Sequence, residues 1–131
     1  MADASYPDDL RYHPEHDWAR VEDGEATFGI TWFAQDALGE LVHYEAPEEG
    51  ATVTKDQPYA EVESVKAVSD VFAPLSGEIA EVNGALEQKP ETINEDPYGE
   101  GWLVKVRLSD PSEVDQLLDV QAYTRLLESS G

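Results

Sequence analysis

Polar and apolar residues alternate over most of the chain, in short runs broken by turn residues, and this period of two predicts strands rather than long helices. Trp18-Ala19-Arg20-Val21 leads into Glu22-Asp23-Gly24-Glu25, and Ala26, Phe28 and Ile30 then fall on one face. An Asp-Gly pair between alternating runs signals a hairpin, because its tight turn needs positive φ angles that these residues tolerate. Thr31 is placed to cap a short helix through Leu38, and Gly39 to end it. Strand-like text resumes at Leu41-Val42-His43-Tyr44, stops at Pro47-Glu48-Glu49-Gly50, and returns around Val53 and over residues 59–64. Residues 68–73 continue it, followed by a Pro74-Leu75-Ser76-Gly77 turn and a strand from Glu78 to Val82.

Residues 84–101 are rich in Gly, Pro, Asn and acidic side chains and predict turns and a surface loop. Trp102 to Leu108 is the clearest late strand. Asp110 as N-cap, Pro111 at the first helical position and Glu113 three residues past the cap open a helix with Val114, Leu117 and Leu118 on its apolar face. A second amphipathic stretch runs from Tyr123 to Leu127. The pattern predicts a mainly β protein: a sandwich or flattened barrel of short strands, a short helix in the N-terminal half and a helical segment at the C-terminal end. A chain of 131 residues can build one core but not two. We expect a polar lead-in over residues 1–9 and a single domain over 10–131.

Charge narrows the partners. Eight Lys and Arg stand against 29 Asp and Glu, a net charge of −21. Such a surface repels phosphate backbones and anionic lipid, which disfavours nucleic acid and membranes. No apolar run approaches a bilayer span, and the opening Met1-Ala2-Asp3-Ala4-Ser5 has neither a basic start nor an apolar stretch, so a cytoplasmic protein is expected. A monomer is the default expectation, which no sequence feature derives. So dense a charge also suits a salt-rich cytoplasm, where screening is short-ranged. The chain has no cysteine, so any thiol or redox chemistry has to come from an attached group.

Among candidate chemical groups, Lys66 stands out. It lies in Glu63-Ser64-Val65-Lys66-Ala67-Val68-Ser69-Asp70, with a β-type run on each side. If those runs pair, Lys66 sits at the hairpin tip, an amine on a stiff mount. Val65 and Ala67 are unusual neighbours there, since turns favour Asn, Asp or Gly. Taken alone, the pattern also fits a solvated turn lysine. His13-Pro14-Glu15-His16-Asp17 contains metal-ligand types, but Pro14 disfavours the helix that would bring His13 and His16 to one face, so a turn and no metal site is expected. His43 reads as a packed or hydrogen-bonded histidine at the core edge, and Trp18, Trp32 and Trp102 as core or core-edge residues. Carboxylates are too abundant to single out an acid–base pair, and no nucleophile elbow, phosphate-cradling loop or His-Glu-x-x-His run occurs, so no catalytic residue is assigned.

The Lys66 segment, Glu-Ser-Val-Lys-Ala followed by Ser69-Asp70, resembles the lipoylation site of glycine cleavage H proteins. Other stretches resemble the family in order and spacing: Arg11-Tyr12 with His16-Asp17-Trp18; Gly29-Ile30-Thr31 with Ala34-Gln35 and Leu38-Gly39; residues 73–78 with Glu81-Val82-Asn83; and residues 94–103. The likeness spans roughly residues 10 to 127. It implies a hybrid barrel-sandwich of the lipoyl/biotinyl-carrier type, with lipoate in amide linkage on Lys66 and with Glu63, Ser64, Val65 and Ala67 as recognition residues around it. By the same resemblance, the carrier catalyses nothing itself. It takes an aminomethyl group from a pyridoxal-phosphate glycine decarboxylase to a tetrahydrofolate-dependent aminomethyltransferase. The resulting dithiol goes to dihydrolipoamide dehydrogenase, and a lipoyl-attaching enzyme loads the lysine.

A chain without cysteine suits this role, because no thiol of its own can exchange with a reactive dithiol arm. An arm on a rigid hairpin also raises the effective concentration of its reactive end at each docked partner. The chain departs from the family pattern at two places. Asp17 stands where the family usually has Glu; that carboxylate, with the one matching Asp70, holds the loaded arm in a surface cleft. Trp32-Phe33 replaces the usual Asp and aromatic. Neighbouring alternatives are an H-like lipoyl relay protein and a lipoyl domain of a 2-oxo-acid dehydrogenase complex, although the latter usually shows Asp-Lys-Ala. A biotin carrier would show Met-Lys-Met. Outside these carriers stands an acidic interaction domain with an unmodified Lys66, and further off an enzyme with a carboxylate site.

Overall fold

The computed structural model describes residues 6–130. The first five residues of the expected lead-in therefore lie outside the described chain. Among the described residues, nine antiparallel strands form two sheets. The larger runs β1 (Arg11–His13), β2 (Asp17–Glu22), β3 (Glu25–Ile30), β9 (Val104–Leu108), β8 (Gly77–Val82) and β5 (Thr52–Val53), in that spatial order. The smaller orders β4 (Leu41–Glu45), β6 (Pro58–Ser64) and β7 (Val68–Phe72) side by side. Apolar side chains facing inward from both sheets, including Phe28, Leu41, Val62, Val71, Ile79 and Val106, make one core, as the alternation predicted.

The Asp23-Gly24 hairpin is present, pairing Glu22 with Glu25 and giving both turn residues positive φ (50° and 83°). Helix α1 (Trp32–Leu38) begins at Thr31, whose hydroxyl accepts from the Ala34 N–H, and ends at Gly39 with φ 86°. A second core cluster gathers Leu10, Tyr12, Trp18 and Tyr123 under the C-terminal helix α3 (Val120–Ser130), where the Tyr12 and Tyr123 rings stack 4.7 Å apart. The Trp18 indole N–H donates to the Pro97 carbonyl, and Gly29 is required beneath it, since a Cβ there would lie 2.5 Å from the ring.

Several expectations need correction. β1 has no period-2 signal of its own, being only three residues long, and its pairing with β2 organises the His13–Asp17 turn. Residues 84–101 are more than a surface loop: a 3-10 turn (Gly84–Glu87) and the short helix α2 (Thr92–Glu95) insert fully buried Leu86 and Ile93 into the core. His43 is exposed rather than packed, because a bulge between Leu41 and His43 turns it outward, 3.7 Å from Glu45. The helix opened by Asp110 is a 3-10 turn (Pro111–Gln116), and Glu113 does not reach back to its cap. Its carboxylate instead accepts from the Ser76 N–H and hydroxyl, pinning the Pro74–Gly77 turn.

Candidate functional site

Strands β6 and β7 pair as a hairpin, with Glu63 opposite Val68 and a closing N–H from Ser64 to the Ala67 carbonyl (2.8 Å). Ser64 is buried, and its hydroxyl oxygen accepts from the backbone N–H groups of Lys66 and Ala67. A serine thus holds rigid a connection that contains no Gly, Asn or Asp. Ser64 faces inward, whereas Glu63, Val65, Lys66 and Ala67 are exposed.

The mount extends beneath the lysine. The Lys66 stem passes over Gly39, its Cε 3.5 Å from where a Cβ on that glycine would be. Asn94 of α2 fixes this junction: its amide nitrogen donates to the Gln35 side chain and the Gly39 carbonyl, and its oxygen accepts from the Leu41 N–H. In the sequence Asn94 lies in a turn-rich stretch and heads the family-like segment 94–103, but nothing there announces this clamp. Its clamp depends on contacts more than fifty residues distant.

Beside the hairpin runs a cleft of about 220 Å³. Phe33, Ala34, Ala37 and Leu38 of α1 form one wall; Ser69, Asp70 and Phe72 of β7 form the other; Glu15 and His16 close the far end. Since α1 spans seven residues, an arm leaving Lys66 near Gly39 and lying along this helix reaches His16 after about 10 Å. His16 adopts φ 74° and packs against Phe33 with the rings tilted by 36° and their centroids 4.5 Å apart. Its Nδ1 lies 2.8 Å from the Tyr123 hydroxyl, which is also 2.8 Å from the Thr31 hydroxyl. Thr31 donating to Tyr123, and Tyr123 to Nδ1, satisfies both bonds with a neutral ring. Burial, which lowers the His16 pKa, favours that form.

Asp70 is exposed on the cleft wall. Asp17 is not at the surface. Only 2% exposed, it lies behind Phe72, whose backbone N–H it accepts, and its Oδ2 has no partner among the described residues. Burial, and then the nearby charge of Glu15, raise its pKa well above the ordinary carboxylate value. The physical reason is position: Asp17 opens β2 opposite Ile30 on a buried register, and its short side chain stays within the strand layer. The carboxylate facing the cleft from the β1–β2 turn is Glu15. His13, by contrast, points away from His16: its Nε2 lies 2.6 Å from Asp56 and its Nδ1 accepts from the Glu15 N–H.

An amine raised on a serine-locked hairpin tip, in a two-sheet barrel-sandwich with a cleft leading from it, defines a carrier of a lysine-tethered group. The comparisons with known proteins name the family. The glycine cleavage H-protein model matches residues 10–130. The chain is 53% identical to the glycine cleavage system H protein of Symbiobacterium thermophilum, over 92% of this chain and 94% of that one. It is 51% identical to that of Halorhodospira halophila, over 95% and 97%. The crystal structure of the H protein from Mycobacterium marinum superposes with a TM-score of 0.87 at 41% identity, covering 94% of this chain and 99% of that one. The chain belongs to the glycine cleavage H-protein family. It is a lipoyl-bearing shuttle of glycine cleavage, its lipoate attached to a lysine.

Proposed function

We propose that Lys66 is the lysine that bears lipoate, and that residues 10–131 act as one non-catalytic cytoplasmic carrier domain. Its partners are glycine decarboxylase, the tetrahydrofolate-dependent aminomethyltransferase, dihydrolipoamide dehydrogenase and a lipoyl-attaching enzyme. The observation that carries this reading is the exposed Lys66 at the tip of a hairpin locked by Ser64, its stem laid over Gly39 toward the cleft. Lipoate bound there would supply a redox-active pair of sulfurs on which a one-carbon amine can be carried. The chain's own residues do the rest. Ser64 and Asn94 hold the mount still. The α1 wall with Phe33 and Leu38 offers apolar surface to the arm's hydrocarbon stem, and Asp70 and Glu15 place negative charge where a cationic amine would rest. Asp17 acts on the same end from behind the cleft floor, and Glu63, Val65 and Ala67 meet partners around the tip.

Of the other lysines, Lys55 lies 3.2 Å from Asp56 and Lys105 packs 5.1 Å from the Trp102 ring, while Lys89 lacks the flanking motif. Peptide mass mapping after treatment with a lipoate ligase should therefore find the lipoyl addition on the Lys66 peptide alone. Addition at Lys55, Lys89 or Lys105 in place of Lys66 would overturn the assignment.

A further inference from the structure

The outer face of the three-stranded sheet carries apolar side chains that neither the core nor the cleft uses. Val42 is 47% exposed, Val65 73% and Val68 60%. The strand register brings them together. Glu63 pairs with Val68 on one side and His43 on the other, the bulge sets Val42 beside His43, and the Val65 N–H donates to the Glu40 carbonyl at the start of β4. The three valines thus surround Glu63 on one face, one step from Lys66. Behind them the next row across the sheet is acidic throughout: Glu45 opposite Glu61, and Glu61 opposite Asp70. Exposed valines at a turn and a bulge cost solubility and bring no packing, so a contact made in a complex explains them better than folding does.

We infer that the Val42–Val65–Val68 triangle is the docking face for the enzyme that acylates Lys66, and that it fits a partner surface with an apolar seat rimmed by Lys or Arg. This rests on the reading of Lys66 as the lipoyl lysine. The argument for that occupant is reach. Enzymes that act on the far end of the arm can stand off by its length, but acylation takes place at Nζ, so the acylating surface has to close on the tip residues themselves. In that step the deprotonated Nζ attacks the carbonyl carbon of lipoyl adenylate, made from lipoate and ATP. The amide forms, the acyl–phosphate bond breaks, AMP leaves with the electron pair, and the surplus Nζ proton goes to solvent. The same face explains selectivity, since Lys89 is also exposed yet sits between Gln88 and Pro90 with no apolar collar. The acid row supplies the charge complementarity, steering a basic rim and penalising an acidic one.

The test measures initial rates of lipoyl transfer to the full-length unmodified chain by a lipoate ligase with lipoate and ATP, followed by intact mass, as the carrier concentration is varied. Replacing all three valines by Ser should raise KM for the carrier by roughly tenfold or more while kcat changes little, because an apolar contact made equally in the bound complex and during acyl transfer contributes to binding alone. Restoring bulk with Ile at the three positions should return KM to the parent value. Val21→Ser, at an exposed valine of the other sheet, serves as the control and should leave KM unchanged. A triple-Ser variant that folds and keeps KM within about twofold of the parent overturns the docking face alone. A parent chain that gains no lipoyl group on Lys66 overturns both this inference and the reading beneath it.

Discussion

The cluster around Trp18 and the outer face of the three-stranded sheet treat apolar residues in opposite ways. Around Trp18 the central side chains are closed in: Leu10, Tyr12, Trp18 and Tyr123 are at most 1% exposed, and Arg20 caps the indole face at 5.2 Å. Around Lys66, valines stand in solvent and acids face one another across strands. The first region is organised for stability and holds the mount steady, whereas the second gives up some stability to keep a surface free for others. A carrier that meets several enzymes needs both, because a docked arm is presented accurately only from a rigid base.

The largest effect expected of any single change tests that division directly. Trp18→Ala should cost about 3–5 kcal/mol in denaturant unfolding, as for buried aromatic truncations generally, while Val65→Ala should stay within about 0.5 kcal/mol. Comparable losses would mean that the tip is part of the core after all.

Asp17 marks the seam between the regions. Its pKa is raised in the folded state, so the folded chain holds a proton that the unfolded chain has released, and stability falls as pH rises from the unfolded value through the folded one. Asp17→Asn keeps an acceptor for the Phe72 N–H and removes the charge. It should therefore stabilise the protein near neutral pH, because folding no longer has to bury an ionisable carboxyl beside Glu15, and the gain should shrink toward pH ~4, where the unfolded carboxyl is itself half protonated. Thermal melts of both proteins across this range decide the matter; a variant less stable than the parent at pH 7 would show that Asp17 has a partner in solution.

A smaller effect sharpens the account of the acidic face. Like charges directly opposite in a sheet are destabilising, and Glu61 faces Glu45 and Asp70 at once. Glu61→Gln should stabilise by about 0.2–1 kcal/mol at low salt, and about 1 M potassium chloride should abolish the difference by screening. Hydrogen exchange should also slow more in β4, β6 and β7 than in β2, β3 and β9 as salt rises. Equal slowing in both sheets would place the repulsion elsewhere.

What was legible in the sequence was local. The Asp23-Gly24 turn, the Thr31 cap, the Gly39 stop and the Lys66 hairpin each follow from rules acting within a few residues, and all are present. The features missed depend on distant partners. Leu86 and Ile93 looked like loop residues because Gly, Pro and acids surround them, and only the sheets across from them make them core. His43 looked inward-facing because alternation was extrapolated through a bulge that no residue type announced. Resemblance located Asp17 at the site, but side-chain length and burial determine that it lies behind the cleft while Glu15 faces it.

The central claim is that Lys66 presents the working group and that its amine, not its charge, is what function requires. The most direct measurement is glycine decarboxylation by the three partner enzymes, reconstituted with either the parent chain or Lys66→Arg after treatment of both with lipoate ligase. Arginine keeps the positive charge and cannot be deprotonated to form the amide, and at an exposed tip it should change stability by no more than about 0.5 kcal/mol. The account predicts a folded variant that gains no lipoyl mass and supports no turnover, beside a parent that does both. Turnover sustained by Lys66→Arg would contradict it.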